Sequence, residues 1–202
     1  MVKYNLRIIL ASGSPRRIKM LEDLGVSPLI VKPDVHEESR LELSPRQLVM
    51  CLALKKALAV EAQLLQEGSD FTQSLLISAD TIVYADRVIG KPESEAEAFE
   101  ILSFLSGRRH TVYSGVCLLG TEKALRRVFY STTDVFFKKY TKQDIQAYIA
   151  TGEPMDKAGA YAIQGGFAPY IDHIEGPMDN VIGFPLNVFM GTLPLLCVHF
   201  YY

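Results

Sequence analysis

The chain has 202 residues, enough for one substantial core or two small lobes. Apolar residues make up 49% and charged residues 22%, the balance of an ordinary globular protein. A net charge of −2 gives no bulk positive field for a nucleic-acid polymer, so a bound anion needs a local cluster of Arg and Lys.

Asn5 to Leu10 reads as a buried strand running into the small-residue loop Ala11 to Ser14. The apolar run Ile8-Ile9-Leu10 is too short for a signal peptide or a membrane span. Pro15 suits a first helical position, and Ile18, Leu21 and Leu24 follow at helical spacing. Ser44-Pro45-Arg46-Gln47 is a capping-box start for a helix to about Gln66. Its apolar face carries Val49, Leu52, Ala53, Val60 and, unusually, Lys56. Leu75 to Ala79 is a second buried strand, with Asp80 standing where it ends. Thr81 to Tyr84 and Val88-Ile89 flank a polar turn and form a hairpin. Ser94 to Leu105 is an amphipathic helix stopped at Gly107, and His110 to Leu119 and Arg126 to Phe137 are paired strands. Thr141 opens a short helix closed by Gly152 and Pro154, and Ala158 to Gly166 reads as strand followed by turn. After Pro185, Gly191 and Pro194 interrupt any long helix. The order of elements predicts an α/β protein with a mixed α+β sheet, one domain over residues 1–202 with two lobes around a central cleft. Cys51, Cys117 and Cys197 are odd in number and form no CxxC pair, which fits reduced thiols and a cytoplasmic location.

Three features carry chemistry. Ser12-Gly13-Ser14-Pro15-Arg16-Arg17 sets two hydroxyls, unpaired backbone N–H groups and two guanidiniums at a helix start, where the dipole attracts anions. A capped helix with exposed arginines explains the same residues. Asp80, at a strand end, suits a divalent ion or proton abstraction from water, and equally a hydrogen bond to the next turn. The acidic run Asp34 to Glu38 is a solvated loop by itself, and an oxygen-rich magnesium site if it meets Asp80 in space. Lys56, Lys91 and Lys157 with the two arginines suffice to neutralise a triphosphate, although sequence spacing alone does not bring them together. No GxxxxGK[ST] loop, HExxH spacing or GxSxG elbow is present, and Cys117 reads as core.

The motifs LASGSPRR (Leu10 to Arg17), SADTIV (Ser78 to Val83), GKP (Gly90 to Pro92) and LSGRRH (Leu105 to His110) occur in that order. TGEPMDKAGAYAIQG (Thr151 to Gly165) and VIGFP (Val181 to Pro185) follow. In these motifs the chain resembles the Maf family, the septum-formation-associated nucleotide pyrophosphatases. The resemblance implies a fold like the inosine-triphosphate pyrophosphatases and hydrolysis of a nucleoside triphosphate to monophosphate and pyrophosphate. It implies a divalent cation, Mg2+ or Mn2+, held by Glu37 and Asp80, with Asp80 as proton acceptor and Glu37 and Lys91 also in the catalytic set. His36 stands where the family usually has aspartate. Phosphate contacts fall on Ser12, Ser14, Arg17, Lys56 and Lys91. Three base-selectivity positions fall on Arg16, Thr81 and Gln164, the combination of the dTTP/UTP subgroup. The 7-methyl-GTP subgroup carries tryptophan at the first of them, and this chain has none. Gln164 offers a donor and an acceptor to the O4 and N3–H edge of a pyrimidine. A small-molecule nucleotide is the partner expected, without nucleic-acid polymer or membrane; a homodimer is compatible with the resemblance. The competing reading is a nucleotide-binding regulator of cell division. Pro177-Met178 and Phe184 depart from the family pattern, which bears on C-terminal packing more than on the reaction.

Overall fold

The computed structural model describes residues 6–36, 42–69, 73–120 and 125–194. β1 (Arg7–Ala11) pairs in parallel with β2 (Leu29–Ile30) on one side and β3 (Ser74–Ala85) on the other. Parallel pairing needs long connections, supplied by α1 (Pro15–Glu22) and α2 (Pro45–Gln66). β3 then folds back into antiparallel β4 (Arg87–Ile89) through Asp86, whose φ of 61° is a left-handed conformation that Asp tolerates better than most residues. α3 (Glu95–Leu105), β5 (Arg109–Gly120), β6 (Leu125–Phe137) and α4 (Lys142–Ile149) follow. Three 3-10 turns lead to β7 (Ile171–Glu175), α5 (Met178–Ile182) and α6 (Leu186–Thr192). The result is the mixed α/β architecture expected from the sequence: a seven-stranded sheet in the order β2-β1-β3-β5-β6-β7, with β4 attached to β3.

The chain divides into two compact units, and the boundary falls within β3 between Asp80 and Thr81. The first contains the described residues of Met1–Asp80, Ser114–Ser131 and Gly183–Tyr202. Its strands β1 and early β3 are continuous apolar runs, as strands covered on both faces require. α2 lays Ala53, Ala57, Val60 and Leu64 against Ile9, Leu76, Cys117 and Leu119. The helix lies so close at Gly115 that a Cβ there would sit 2.3 Å from the Val49 carbonyl oxygen, so only glycine fits. Burial pushes the Cys117 thiol up to about 12, which makes it the inert core group its sequence context suggested.

The second unit contains Thr81–Tyr113 and the described residues of Thr132–Ile182. Its core centres on Phe167, fully buried, with the rings of Phe137, Tyr140, Tyr148 and Tyr170 at centroid distances of 5.2, 5.1, 4.8 and 5.0 Å. Edge and tilted ring packing of this kind adds to the area buried. His110 belongs to this core: its Nε2 lies 2.8 Å from the Tyr161 hydroxyl and its ring packs edge-on against Phe137.

Two sequence expectations are corrected here. β3 does not end at Asp80 but continues as one strand to Ala85, because Ile82 and Val83 are also buried and extend the run. The segment from Ala158 forms a 3-10 turn, Ala158–Ala160, followed by further turns, and contains no strand. Gly159 and Ala160, with φ of 75° and 58°, are left-handed and incompatible with extended pairing. β7 escaped the alternation rule because its pairing with β6 is irregular: Ile171 opposes Phe137 while His173 opposes the adjacent Phe136.

Candidate active site

In the first unit the parallel register brings the chemistry to one end of the sheet. Ala11 lies opposite Ser78, so the loop that leaves the carboxyl end of β1 is level with Asp80, two residues beyond Ser78 in a β3 that continues to Ala85. Open α/β sheets bind ligands at that end. β2 runs the same way, with Ile30 opposite Leu10, and places the Lys32 side chain over the loop glycine. A Cβ on Gly13 would lie 2.9 Å from Lys32 Cε.

The loop itself is tied from within. Ser12 is buried, and its Oγ accepts from Ser14 N at 3.2 Å and from Arg17 Nη1 at 3.3 Å. Ser14 is the N-cap of α1, and its side chain makes no capping bond to the helix. Pro15 opens α1 as its sequence position predicted. Arg17 Nε donates to the Gly183 carbonyl at 2.9 Å, so the second arginine braces the loop against the VIGFP segment. Arg16 is half-buried beside it in sequence.

Lys56, on the apolar stripe of α2, meets Asp80. Its Nζ donates to Asp80 Oδ1 at 2.5 Å, with the two residues 8% and 6% exposed. One turn earlier, Ser78 Oγ donates to the Ala53 carbonyl at 2.5 Å, which pins α2 to β3 next to the pair. A buried ion pair contributes little net stability but strongly penalises loss of one partner, so it holds the carboxylate in one orientation. The neighbouring Lys55 donates to the His36 carbonyl. Glu37 follows His36 and lies outside the described residues. Among the described residues no cluster of three or more His, Cys, Asp or Glu could hold a metal ion.

In the second unit, Thr81 is half-buried directly after Asp80. Lys91 is exposed and follows Gly90, whose carbonyl accepts from Gly159 N at 2.9 Å. Lys157 is engaged within its own turn, donating to the Glu153 carbonyl at 2.8 Å and Asp156 Oδ1 at 2.5 Å, which favours a structural use of that cation. Gln164 is exposed on the turns before Phe167. His110, from the LSGRRH motif, is a core group instead of a ligand. Burial depresses its pKa to about 4, outweighing the opposing charge of Asp134, so the ring is neutral near pH 7.

Within the first unit, then, the structure joins Ser12 to Arg17 and Lys56 to Asp80. Sequence reading missed Lys32, the Gly183 carbonyl, and the Tyr148 and Glu153 side chains that bond the Gln164 loop. The motifs VIGFP and TGEP contained Gly183 and Glu153, but nothing in their local spacing named a partner, and Tyr148 lies outside both motifs.

A basic loop at a helix start where β1 ends, level with a buried lysine–carboxylate pair on β3, defines an α/β protein equipped for a phosphorylated ligand. The family model for Maf-like protein matches residues 7–195, and the chain belongs to that family. A dTTP/UTP pyrophosphatase of Bacillus thuringiensis subsp. konkukian (strain 97-27) is 44% identical over 182 residues, covering 90% of this chain and 91% of the relative. One of Bacillus cereus (strain ATCC 10987 / NRS 248) is 46% identical, over 90% of this chain and 85% of its own. A third, of Bacillus cytotoxicus, is 45% identical over 89% of this chain and 90% of its own.

Proposed function

We propose that this protein hydrolyses dTTP and UTP between the α and β phosphates, releasing the nucleoside monophosphate and pyrophosphate. The buried Lys56–Asp80 pair, level in the sheet with the start of the Ser12–Arg17 loop, is the observation that supports it most directly. The names of the Bacillus relatives support the substrate.

In this reading Asp80 takes a proton from water as its oxygen bonds to the α phosphorus in line with the leaving group. The bond from that phosphorus to the bridging oxygen breaks, and pyrophosphate leaves with the electron pair. Lys56 holds Asp80 Oδ1 and thereby orients the base. Ser12, Ser14 and the α1 N–H groups receive phosphate oxygens, Arg17 and Lys56 add positive charge, and Lys91 offsets the charge developing on the leaving group. Thr81, Arg16 and Gln164 choose the base. Magnesium uses one or two carboxylates with phosphate oxygens and water, so the buried Asp80 carboxylate, with one oxygen on Lys56, and a carboxylate of the acidic run Asp34 to Glu38 fit its donor requirements. Asp80 and Glu37 would hold the ion, which when bound neutralises phosphate charge.

No described helix is long and apolar enough to cross a membrane. A cytoplasmic enzyme of the nucleotide pool is the setting proposed, with a homodimer carried by family resemblance alone. Magnesium with a panel of nucleoside triphosphates, read by pyrophosphate and monophosphate release, tests the reading. Turnover of dTTP and UTP is expected; binding without release would favour the regulatory alternative, and a preference for 7-methyl-GTP would overturn the substrate.

A further inference from the structure

We propose that Tyr148 and Glu153 are the positioning residues that set base selectivity, by holding the Ala162–Gly166 loop in the one conformation that presents Gln164. The inference rests on the reading of Gln164 as a base-recognising residue.

Gln164 sits on backbone that no strand or helix supports. Two N–H groups placed symmetrically about it find side-chain acceptors. Ala162 N donates to the Tyr148 hydroxyl at 3.1 Å, and Gly166 N donates to Glu153 Oε2 at 2.8 Å. Burial raises the tyrosine pKa, so the hydroxyl stays protonated while it accepts from Ala162. Side-chain acceptors therefore hold the loop backbone at residue 162 and at residue 166.

The fit leaves no slack. A Cβ on Gly165 would lie 2.0 Å from Glu153 Oε1, so the carboxylate lies directly against the loop backbone. Glu153 is fixed at its own main chain: its N–H donates to Thr151 Oγ1 at 3.2 Å and its carbonyl accepts from Lys157 Nζ at 2.8 Å. Tyr148 is fixed by α4 and by its ring contact with Phe167, at 4.8 Å between centroids. Both ends of the loop are thus tied to rigid groups, and Gln164 between them is exposed. This is the form of a side chain held out for recognition: its own atoms are accessible and its backbone is not free to turn.

The test compares UTP with CTP, which differ only at C4 and in the hydrogen on N3, using full-length protein with magnesium. The readout is the ratio of kcat/KM for the two nucleotides. Gln164→Ala is expected to reduce the preference for UTP about tenfold, the effect of roughly one lost hydrogen bond. Glu153→Ala and Tyr148→Phe are expected to reduce it similarly, and Glu153→Ala combined with Gln164→Ala to reduce it no further. Glu153→Gln, which keeps an acceptor oxygen but loses the carboxylate's second one, is expected to fall between. Tyr148→Phe retains the ring packing and carries the test if Glu153→Ala does not fold. An equal fall for UTP and CTP in the Glu153 and Tyr148 variants, with the ratio unchanged, would show a merely structural strap and overturn the proposal. If Gln164→Ala itself keeps the wild-type ratio, the reading of Gln164 fails and the proposal with it. A shifted ratio in Gln164→Ala alone rejects only the positioning pair.

Discussion

Lys56–Asp80 and the Gln164 loop hold the side chains proposed for chemistry and for base choice by opposite means. The first pair is mounted on a helix of 22 residues and a strand of 12, and both side chains are buried where those elements meet. The second is an exposed glutamine on consecutive turns, held by bonds borrowed from Tyr148 and Glu153. A base that must meet a phosphorus atom in line gains from the stiffest mounting available. A residue that selects a base needs access to solvent and a precise backbone, which a strapped loop supplies. Chemistry and selectivity should therefore be separable by mutation.

Asp80→Asn gives the largest break between the two. The amide oxygen can still accept from Lys56, so the fold should persist, while loss of the base lowers kcat by ~10²–10⁴. The loss should be equal for UTP and CTP, measured as pyrophosphate release; a change in their ratio would mean that the two regions are not independent. Lys56→Met comes next and acts on stability as well as rate. Removing one partner of a buried pair costs about 3–5 kcal/mol, or a fall of roughly 10 °C in Tm for a chain of this size. Thermal melts of Lys56→Met and of its combination with Asp80→Asn check this, and the double variant should recover part of the loss.

The smallest effect concerns the aromatic core of the second unit. His110 is neutral when folded, with a pKa near 4 against 6.5 when exposed, so between those values the unfolded chain binds the extra proton. Stability from this group is complete above pH 6.5 and declines as pH falls towards 4, by about 3 kcal/mol. Urea unfolding at pH 7 and pH 4.5 should show a smaller drop for His110→Phe than for the wild type. Equal drops would assign the acid sensitivity elsewhere.

Much of the first unit was legible in the sequence because its signals are local. Pro15 marked the start of α1, the capping box at Ser44 is present with Gln47, and Lys56 stood out on its apolar stripe, although its pairing with Asp80 was not read. The parallel register that sets Asp80 level with the loop holding Ser12 was not legible, since it depends on pairing between residues 67 positions apart, as Ala11 with Ser78. The second unit was read less well where backbone conformation departs from the residue's usual preference. Ala160 is left-handed with nothing in its side chain to say so, and the segment from Ala158 accordingly reads as a strand. Glu153 gave no sign of its role because its partner, the N–H of Gly166, is a backbone group common to almost every residue.

The bond from Arg17 to Gly183 joins positions 166 residues apart. During synthesis the Ser12–Arg17 loop leaves the ribosome well before its brace. A nascent chain has Ser12, Arg17, Lys56 and Asp80 in hand long before Gly183 is made. The loop is therefore completed only after Gly183 has emerged, and a chain stalled before that point carries those residues without the brace that closes the loop.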